Sequence, residues 1–272
     1  MPTKRPTFTP RPPTPTPRPT VPPETKRAYW LEMLSTNGGC DLPCWLGLHP
    51  GSATWEDVAY LFAPVATSEI PFPPSVVTKR YDFGLSLNRL DIVNLLLGLF
   101  EKEGVVQHIY VNYSAVNERD NPAYNASFAN AVRRYSLQQI LADNGVPSRV
   151  LLEIPAYPAE LNAPWWFTVW VFYDELGILA EYRGEGLAHS GDQIRVCPEF
   201  SRVHGISLSL QSPESDIHIE NLSNETAYIE EGLKKGWIHT LQESTTLDLG
   251  GFYLTFVQTE NQGCFVTPLD FW

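Results

Sequence analysis

The spacing of apolar residues along the chain predicts two helices that begin with clear capping residues. Thr54 can cap the first, whose opening turn is acidic. Ser136 starts the second, where Gln139 three residues later completes a capping box and Gly145 supplies the stop. The apolar stripes expected to face a core are Val58, Leu61 and Phe62 in the first helix and Leu137, Ile140 and Leu141 in the second.

Two further helices are predicted in the C-terminal part of the chain. One runs from about Thr226 to Lys235 and ends at Gly236. The other follows Thr246, and it is less favoured because Gly250 and Gly251 each cost about 1 kcal/mol in a helix interior.

Aromatic and β-branched runs predict antiparallel hairpins. Residues 165–173, WWFTVWVFY, form a predicted strand, and an acidic turn with a glycine at 174–177 leads into the return strand LGILAEYR. The same order of features occurs at 99–111. Because each hairpin follows one capped helix, we interpret the chain as an internal duplication; the alternative is coincidence, since hairpins with acidic turns are common.

These elements predict an α+β fold. Two repeats, each a helix with antiparallel strands, share one core, repeat 1 at about 45–115 and repeat 2 at about 134–197. A C-terminal segment, 198–272, is expected to return over that core.

The first 27 residues differ from the rest of the chain. Ten of the 24 prolines fall in residues 1–23, alternating with threonine and basic residues. Such a composition favours an extended, disordered tether ahead of a domain at 28–272, with a docking site for a proline-recognition domain as the alternative. Pro/Thr spacers of this kind commonly follow an export signal or a lipid anchor.

The charge and the length of the apolar runs exclude two classes of protein, those that bind nucleic acid and those that span a membrane. The whole chain has 19 basic and 31 acidic residues, a net charge of −12. Since residues 1–27 carry +5, the remaining 245 residues carry −17. Affinity for nucleic acid comes from basic residues at phosphates, so we expect no nucleic-acid partner. The longest apolar run, 90–100, is interrupted by Asp91 and Asn94, so we predict no transmembrane segment.

The four cysteines, Cys40, Cys44, Cys197 and Cys264, lack the paired C-x2-C spacing of zinc sites and of thioredoxin-type redox sites. Disulfides are therefore expected. Of the three pairings, we favour Cys40 with Cys44 and Cys197 with Cys264, because the second bond would tie the C-terminal segment to the sheet. Disulfides indicate an oxidising, extracytoplasmic compartment.

The sequence shows no catalytic constellation. The six histidines form no ligand-spaced group, and no G-x-S-x-G or phosphate-binding glycine loop is present. Glu230 and Glu231 share a predicted helix with Lys234 and Lys235, where ion pairing explains them. We therefore predict no catalytic residue, no metal site and no cofactor.

Aromatic residues give the best indication of a binding site. Along 165–173 the strand pleat places Phe167 and Val169 on one face and Trp166, Trp170 and Phe172 on the other. If the first face meets the helices, the second presents a candidate binding patch, since tryptophan is enriched at interface centres. The alternative is that both faces are buried and these rings belong to the core.

The segments GCDLPCWLGLHPGSATWEDVAYLF, YSLQQILADNGVPSRV, WVFYDELGILAEY and CFVTPLDFW together resemble an uncharacterised family of exported or lipoprotein-like proteins of Chloroflexota-type bacteria. That resemblance implies that the chain is extracytoplasmic and that residues 1–27 are a tether. More remotely, the helix entry Pro50-Gly51-x-x-Thr54 is similar to that of β-lactamase-inhibitor-like repeats, shared with outer-membrane assembly lipoproteins. Tandem copies of that unit present a concave sheet to partner proteins, which implies protein binding.

Two classes of function follow. The first is a tethered, extracytoplasmic, non-catalytic binding or protein-interaction module, secreted or attached to the cell surface, whose partner is a protein or a cell-envelope polymer. The second is an extracellular polymer-degrading hydrolase, with a glycan-binding module as a related alternative. Paired carboxylates or a histidine of shifted pKa in a pocket would favour the enzyme, whereas an exposed aromatic patch would favour binding.

Overall fold

The computed structural model describes residues 22–62, 70–71, 79–86, 93–115, 130–154, 166–185, 187–190, 192–200, 203–214, 224–258 and 263–272. Most of the predicted tether, residues 1–21, lies outside this described part. Residues 23–27 were assigned to the tether, but they belong to a helix. Its start is explained by Pro23 in the first turn, where proline is tolerated, and by the burial of Trp30 and Leu34 further along.

Runs of several strands separate some of the helices along the chain. The described helices are α1 (Pro23–Thr36), α2 (Trp55–Phe62), α3 (Leu137–Asn144), α4 (Asn224–Lys235), α5 (Leu241–Ser244) and α6 (Leu249–Val257). The described strands are β1 (Ile70–Pro71), β2 (Lys79–Ser86), β3 (Val93–Lys102), β4 (Val105–Ala115), β5 (Arg149–Glu153), β6 (Trp166–Tyr173), β7 (Ile178–Glu185), β8 (Leu187–Ser190), β9 (Gln193–Val196), β10 (Val203–Gln211), β11 (Ile238–Thr240) and β12 (Phe265–Pro268).

Both sheets are antiparallel throughout their described pairings. The large sheet has the order β1-β2-β3-β4-β10-β7-β6-β5-β11, and the small sheet has the order β12-β9-β8. Two meanders, β2 to β4 and β5 to β7, flank β10, which pairs with the last strand of each. The prediction of an α+β fold with antiparallel sheets is therefore confirmed. The segment 198–272 does more than return over the core, because it supplies the strand between the two meanders.

One face of the large sheet carries the main core. In register across its centre, Leu208 of β10 lies between Val111 of β4 and Ala180 of β7, and all three are fully buried. Phe167 and Val169 of β6 share this face. Helices α1, α2, α3 and α6 bury apolar side chains in the same cluster, together with β9 and β12 of the small sheet. The helices therefore pack on the face of β6 that carries Phe167 and Val169, as the alternation of side chains along the strand predicted.

The predicted helix starts match the structure. At α2 the Thr54 hydroxyl accepts from the amide of Asp57 (3.4 Å), while the Thr54 amide donates to the Asp57 carboxylate (2.8 Å). At α3 the Ser136 side chain accepts from the amide of Gln139 (3.3 Å). The Gln139 side chain donates instead to Asp143, so Ser136 caps the helix without the reciprocal half of the predicted box.

Both predicted disulfide pairings are present. Cys40 bonds to Cys44, and Cys197 bonds to Cys264 across a separation of 67 residues. The second bond connects the residue that follows β9 to the residue before β12. It therefore ties the C-terminal strand to its neighbour in the small sheet.

The loop closed by the Cys40–Cys44 bond is organised around the side chain of Asn37. This side chain is 0% exposed and lies in a residue with φ of 52°. Its Nδ2 donates to the carbonyls of Cys40 and Cys44, each at 2.8 Å. Its Oδ1 accepts from the amide of Leu46 at 2.9 Å and from the Tyr135 hydroxyl at 2.8 Å. One buried amide thus satisfies four polar groups of the loop and of the core beneath it.

Among the helices of the described residues, none combines the length and the apolar character needed to cross a membrane.

Candidate functional site

The second face of the large sheet holds the three aromatic residues predicted to bind a partner. Trp170 is 2% exposed and Phe172 is 4% exposed, whereas Trp166 is partly exposed. The expectation of an exposed patch formed by Trp166, Trp170 and Phe172 is therefore corrected: the alternative of a buried second face holds at Trp170 and Phe172.

These two rings are buried because α4 packs on this face and Ile238 of the edge strand β11 lies beside them on the sheet. Trp170 and Phe172 form a small cluster with Ile229 of α4, Ile238 of β11 and two strand residues, Leu151 and Leu179. The guanidinium of Arg149 also lies 4.0 Å from the centre of the Phe172 ring. Phe172 is thus covered by apolar packing and a cation–π contact.

Beside this small cluster, the same sheet face carries charged residues. Glu153 of β5, Thr168 of β6 and Arg183 of β7 lie in one cross-strand row. Tyr228 of α4 donates a hydrogen bond from its hydroxyl to Glu153, and the Thr168 hydroxyl hydrogen-bonds the same carboxylate. Helix α4 therefore adds a phenol to a row of groups that the sheet already holds in place.

The charged groups in this row perturb one another. Burial raises the pKa of Glu153, although the hydrogen bond from Tyr228 and the charge of Arg183 partly oppose that shift. Desolvation and the bonded Glu153 carboxylate together raise the pKa of Tyr228 to about 12. Glu153 thus takes up a proton more readily than an ordinary glutamate, while Tyr228 stays protonated.

The next row of the same face contains Trp170 and Glu181, which lie directly opposite each other. Glu181 is buried and forms an ion pair with the half-exposed Arg183, whose Nε donates to it. The indole Nε1 of Trp170 is also buried, and it has no hydrogen-bond partner among the described residues. A buried donor without an acceptor is costly, so Trp170 has an unused capacity to donate.

Exposed rings lie at the edge of these rows. Tyr228 is 42% exposed and Trp237 is 36% exposed, with ring centroids 6.2 Å apart and planes inclined by 42°. Gly232 allows the approach of Trp237, because a Cβ there would lie 2.5 Å from the indole Nε1. The ammonium of Lys235 lies 5.3 Å from the centre of the Trp237 ring.

We call this group of neighbouring residues the acidic-aromatic patch. It consists of Glu153, Trp166, Trp170, Glu181, Arg183, Tyr228 and Trp237. Its floor is the sheet, and its rim is formed by side chains that contact solvent. At this rim the surface can donate hydrogen bonds through the half-exposed Arg183 and pack against a ring or an apolar group through Tyr228 and Trp237.

His204 borders the patch from the start of β10. Burial lowers its pKa, and the charge of Arg183 acts in the same direction, whereas Glu185 opposes the shift. Glu185 lies opposite Trp166 in the register of β6 and β7. A neutral histidine thus lies next to the partly exposed end of the patch.

Away from the patch, one group of described residues brings three metal-ligating side chains together: Cys197, Cys264 and Glu199 place ligand atoms within 4.8 Å of one another. The two sulfur atoms are bonded to each other in the disulfide. They have no thiolate to offer a metal while that bond is intact.

Sequence reasoning identified two members of the patch, Trp166 and Trp170, and missed the charged ones. The available signal was in the strand ILAEYRGE, where Glu181 and Arg183 interrupt a run of buried residues at alternate positions. Charged residues in the interior of a buried strand are uncommon unless they are paired. The partner supplied by α4, Tyr228, carries no comparable signal.

No protein-family model, curated protein or solved structure matches this chain.

Proposed function

We propose that the chain is a tethered, extracytoplasmic, non-catalytic binding module and that the acidic-aromatic patch is its binding surface. The observation that carries the proposal is the position of two solvent-contacting rings, Tyr228 and Trp237, at the edge of fixed hydrogen-bonding groups. Aromatic anchors next to oriented polar groups are typical of ligand sites.

The compartment is part of the proposal and is supported by two features. Every cysteine of the chain is in a disulfide, and bonds of this kind persist in oxidising environments. The Pro- and Thr-rich stretch at the start of the chain has the composition of a spacer. A spacer on a cell-surface protein would hold the patch away from the envelope and within reach of a partner.

The internal duplication is likewise proposed. It is supported by the order of the elements, since α2 precedes the meander β2 to β4 and α3 precedes the meander β5 to β7. The two copies would then correspond to the tandem β-lactamase-inhibitor-like arrangement, and the patch forms where the C-terminal segment meets the second meander. Solving each unit separately and superposing the two backbones would test it.

The binding role is tested by retention of the full chain on the cell-envelope fraction of the source organism. We expect the wild-type chain to be retained and Trp237→Ala to weaken retention at least tenfold, because a tryptophan anchor that a partner covers contributes much of the binding energy. Tyr60→Ala is the matched control, since Tyr60 is an exposed aromatic residue on α2, outside the patch. Equal retention of all three proteins would refute the proposed surface.

A second candidate function, a hydrolase, is favoured by one specific observation. The raised pKa of Glu153 is the property that a general acid requires, and a second carboxylate, Glu181, lies two strands away on the same face. Release of reducing ends from envelope polysaccharide by the wild-type chain, abolished in Glu153→Gln, would establish this candidate. Undiminished release by the variant would exclude Glu153 as the acid.

A further inference from the structure

We propose that α4 is a hinged lid over the buried part of the acidic-aromatic patch. The helix swings about Gly236, which directly follows it, and its opening uncovers Trp170 and Phe172. This inference goes beyond the proposed binding function, because it concerns how the buried part of the patch becomes accessible. It is tested on the free protein, so it can fail while the binding function stands.

Helix α4 is attached to the sheet through few side chains. Among residues 227–235, the part of the helix whose side chains the structure describes, only Ile229 and Gly232 are buried. Helix α3 is shorter, yet it buries three apolar side chains in the main core. Packing of an apolar face supplies most of the stability of a helix within a protein. We therefore expect α4 to detach at a lower free energy than α3.

The apolar contacts beneath α4 are separate from the main core. Ile229 packs with Trp170 and Phe172 in the small cluster, and the other members of that cluster all belong to strands of the sheet. None of its members belongs to the main cluster on the opposite face. The hydrogen bond from the Tyr228 hydroxyl to Glu153 is a second contact between the helix and the sheet. Both contacts can break while the main core stays intact.

The C-terminal end of α4 has the features of a hinge. Gly236 has a φ of 75°, a conformation that glycine adopts without steric cost. The amides of Gly236 and Trp237 both donate to the Gly232 carbonyl, at 2.8 and 3.0 Å, and β11 follows directly. This end is therefore fixed to the edge of the sheet, whereas the contacts of Tyr228 and Ile229 lie further along the helix. Hinges commonly consist of a few residues at the end of an element, as here.

Opening of the lid changes what the patch presents to a partner. In the closed state Trp170 is 2% exposed, and its Nε1 has no hydrogen-bond partner among the described residues. Phe172 is 4% exposed. An open lid brings both rings into contact with solvent on the face that carries the partly exposed Trp166. The lid therefore determines whether a partner meets the rim alone or also the aromatic floor.

Hydrogen exchange of the full-length protein, resolved to peptides by mass spectrometry, compares the opening of α4 with that of α3. We expect the amides of α4 to exchange about a hundredfold faster than those of α3, relative to their intrinsic rates. Ile140→Val, which removes one methyl group from the main core, should accelerate exchange in α3 about fivefold and leave α4 unchanged. Equal protection of the two helices, or acceleration of α4 by Ile140→Val, would overturn the proposal, because α4 would then open only when the whole domain unfolds.

A second experiment tests the hinge through hydroxyl-radical modification of Trp170 in the full-length protein. We expect Gly236→Ala to raise this modification about tenfold, because alanine disfavours the positive φ of the closed lid. The added Cβ itself would meet no atom within 4 Å outside the neighbouring residues. Gly145→Ala is the matched control, since Gly145 follows α3 with a φ of 79° and equally open surroundings. An equal rise in both variants, or no rise in Gly236→Ala, would overturn the proposal.

Discussion

Replacing Asn37 by alanine should cost about 5 kcal/mol of the free energy of unfolding. The side chain makes four hydrogen bonds in a fully buried position, and each contributes about 1 kcal/mol net. Alanine must also adopt the left-handed conformation of this residue, which adds about 1 to 2 kcal/mol. Alanine cannot replace any of these hydrogen bonds, because its side chain carries no polar atom.

Equilibrium unfolding in urea, followed by tryptophan fluorescence with the disulfides intact, measures this loss. Asn37→Gly is the matched variant, since it loses the same hydrogen bonds and tolerates the positive φ. We expect the glycine variant to be the more stable of the two by about 1 to 2 kcal/mol. A loss below about 2 kcal/mol in the alanine variant would show that Asn37 does not organise the loop.

Three further outcomes are expected. Truncating Trp170 to alanine should cost about 3 to 5 kcal/mol through lost burial and a new cavity, whereas Tyr60→Ala, at a site that is 85% exposed, should change stability by less than about 0.5 kcal/mol in the same urea titration. Burial raises the pKa of Glu153, so the folded state holds a proton on this carboxyl at pH values where the unfolded state has lost it. The contribution of Glu153 to the free energy of unfolding therefore falls as pH rises above the ordinary glutamate pKa. The stability of Glu153→Gln relative to wild type should increase between about pH 4 and pH 7, and a constant difference would contradict the assigned environment. A thiol-alkylating reagent should leave the mass of the unreduced protein unchanged and should add four labels when the protein is reduced beforehand. Labels on the unreduced protein would remove the argument for an oxidising compartment.

Local features of the sequence were sufficient to predict the capped helices and the faces of β6. Thr54 and Ser136 satisfy amides within three residues of themselves, so their role depends on little else in the fold. Alternation along β6 likewise follows from the strand pleat alone, and it placed Phe167 and Val169 under the helices.

Features that depend on distant parts of the chain were not predictable from such patterns. Strand β10 joins the two meanders through contacts such as the 2.8 Å hydrogen bond between His108 and Ser209, which are 101 residues apart. The cover over Trp170 comes from α4, and the Tyr228–Glu153 bond spans 75 residues. Periodicity shows that a face is apolar, but it does not show which later element will pack on it.

The start of α1 was missed for a different reason. Proline-rich composition favours an extended chain, and residues 1–27 were grouped together on that basis. Proline is nevertheless acceptable in the first turn of a helix, and the apolar residues that stabilise α1, Trp30 and Leu34, lie beyond the compositional boundary. Composition averaged over the segment concealed a helix that begins at its edge.

The central claim, that the acidic-aromatic patch is the binding surface, is tested most directly by hydroxyl-radical footprinting of the full-length protein free and bound to the envelope fraction. Modification of each exposed aromatic side chain is read by mass spectrometry. We predict that binding protects Tyr228 and Trp237 and leaves Tyr60 as reactive as in the free protein. Undiminished modification of Tyr228 and Trp237 in the bound state, or protection confined to Tyr60, would contradict the account.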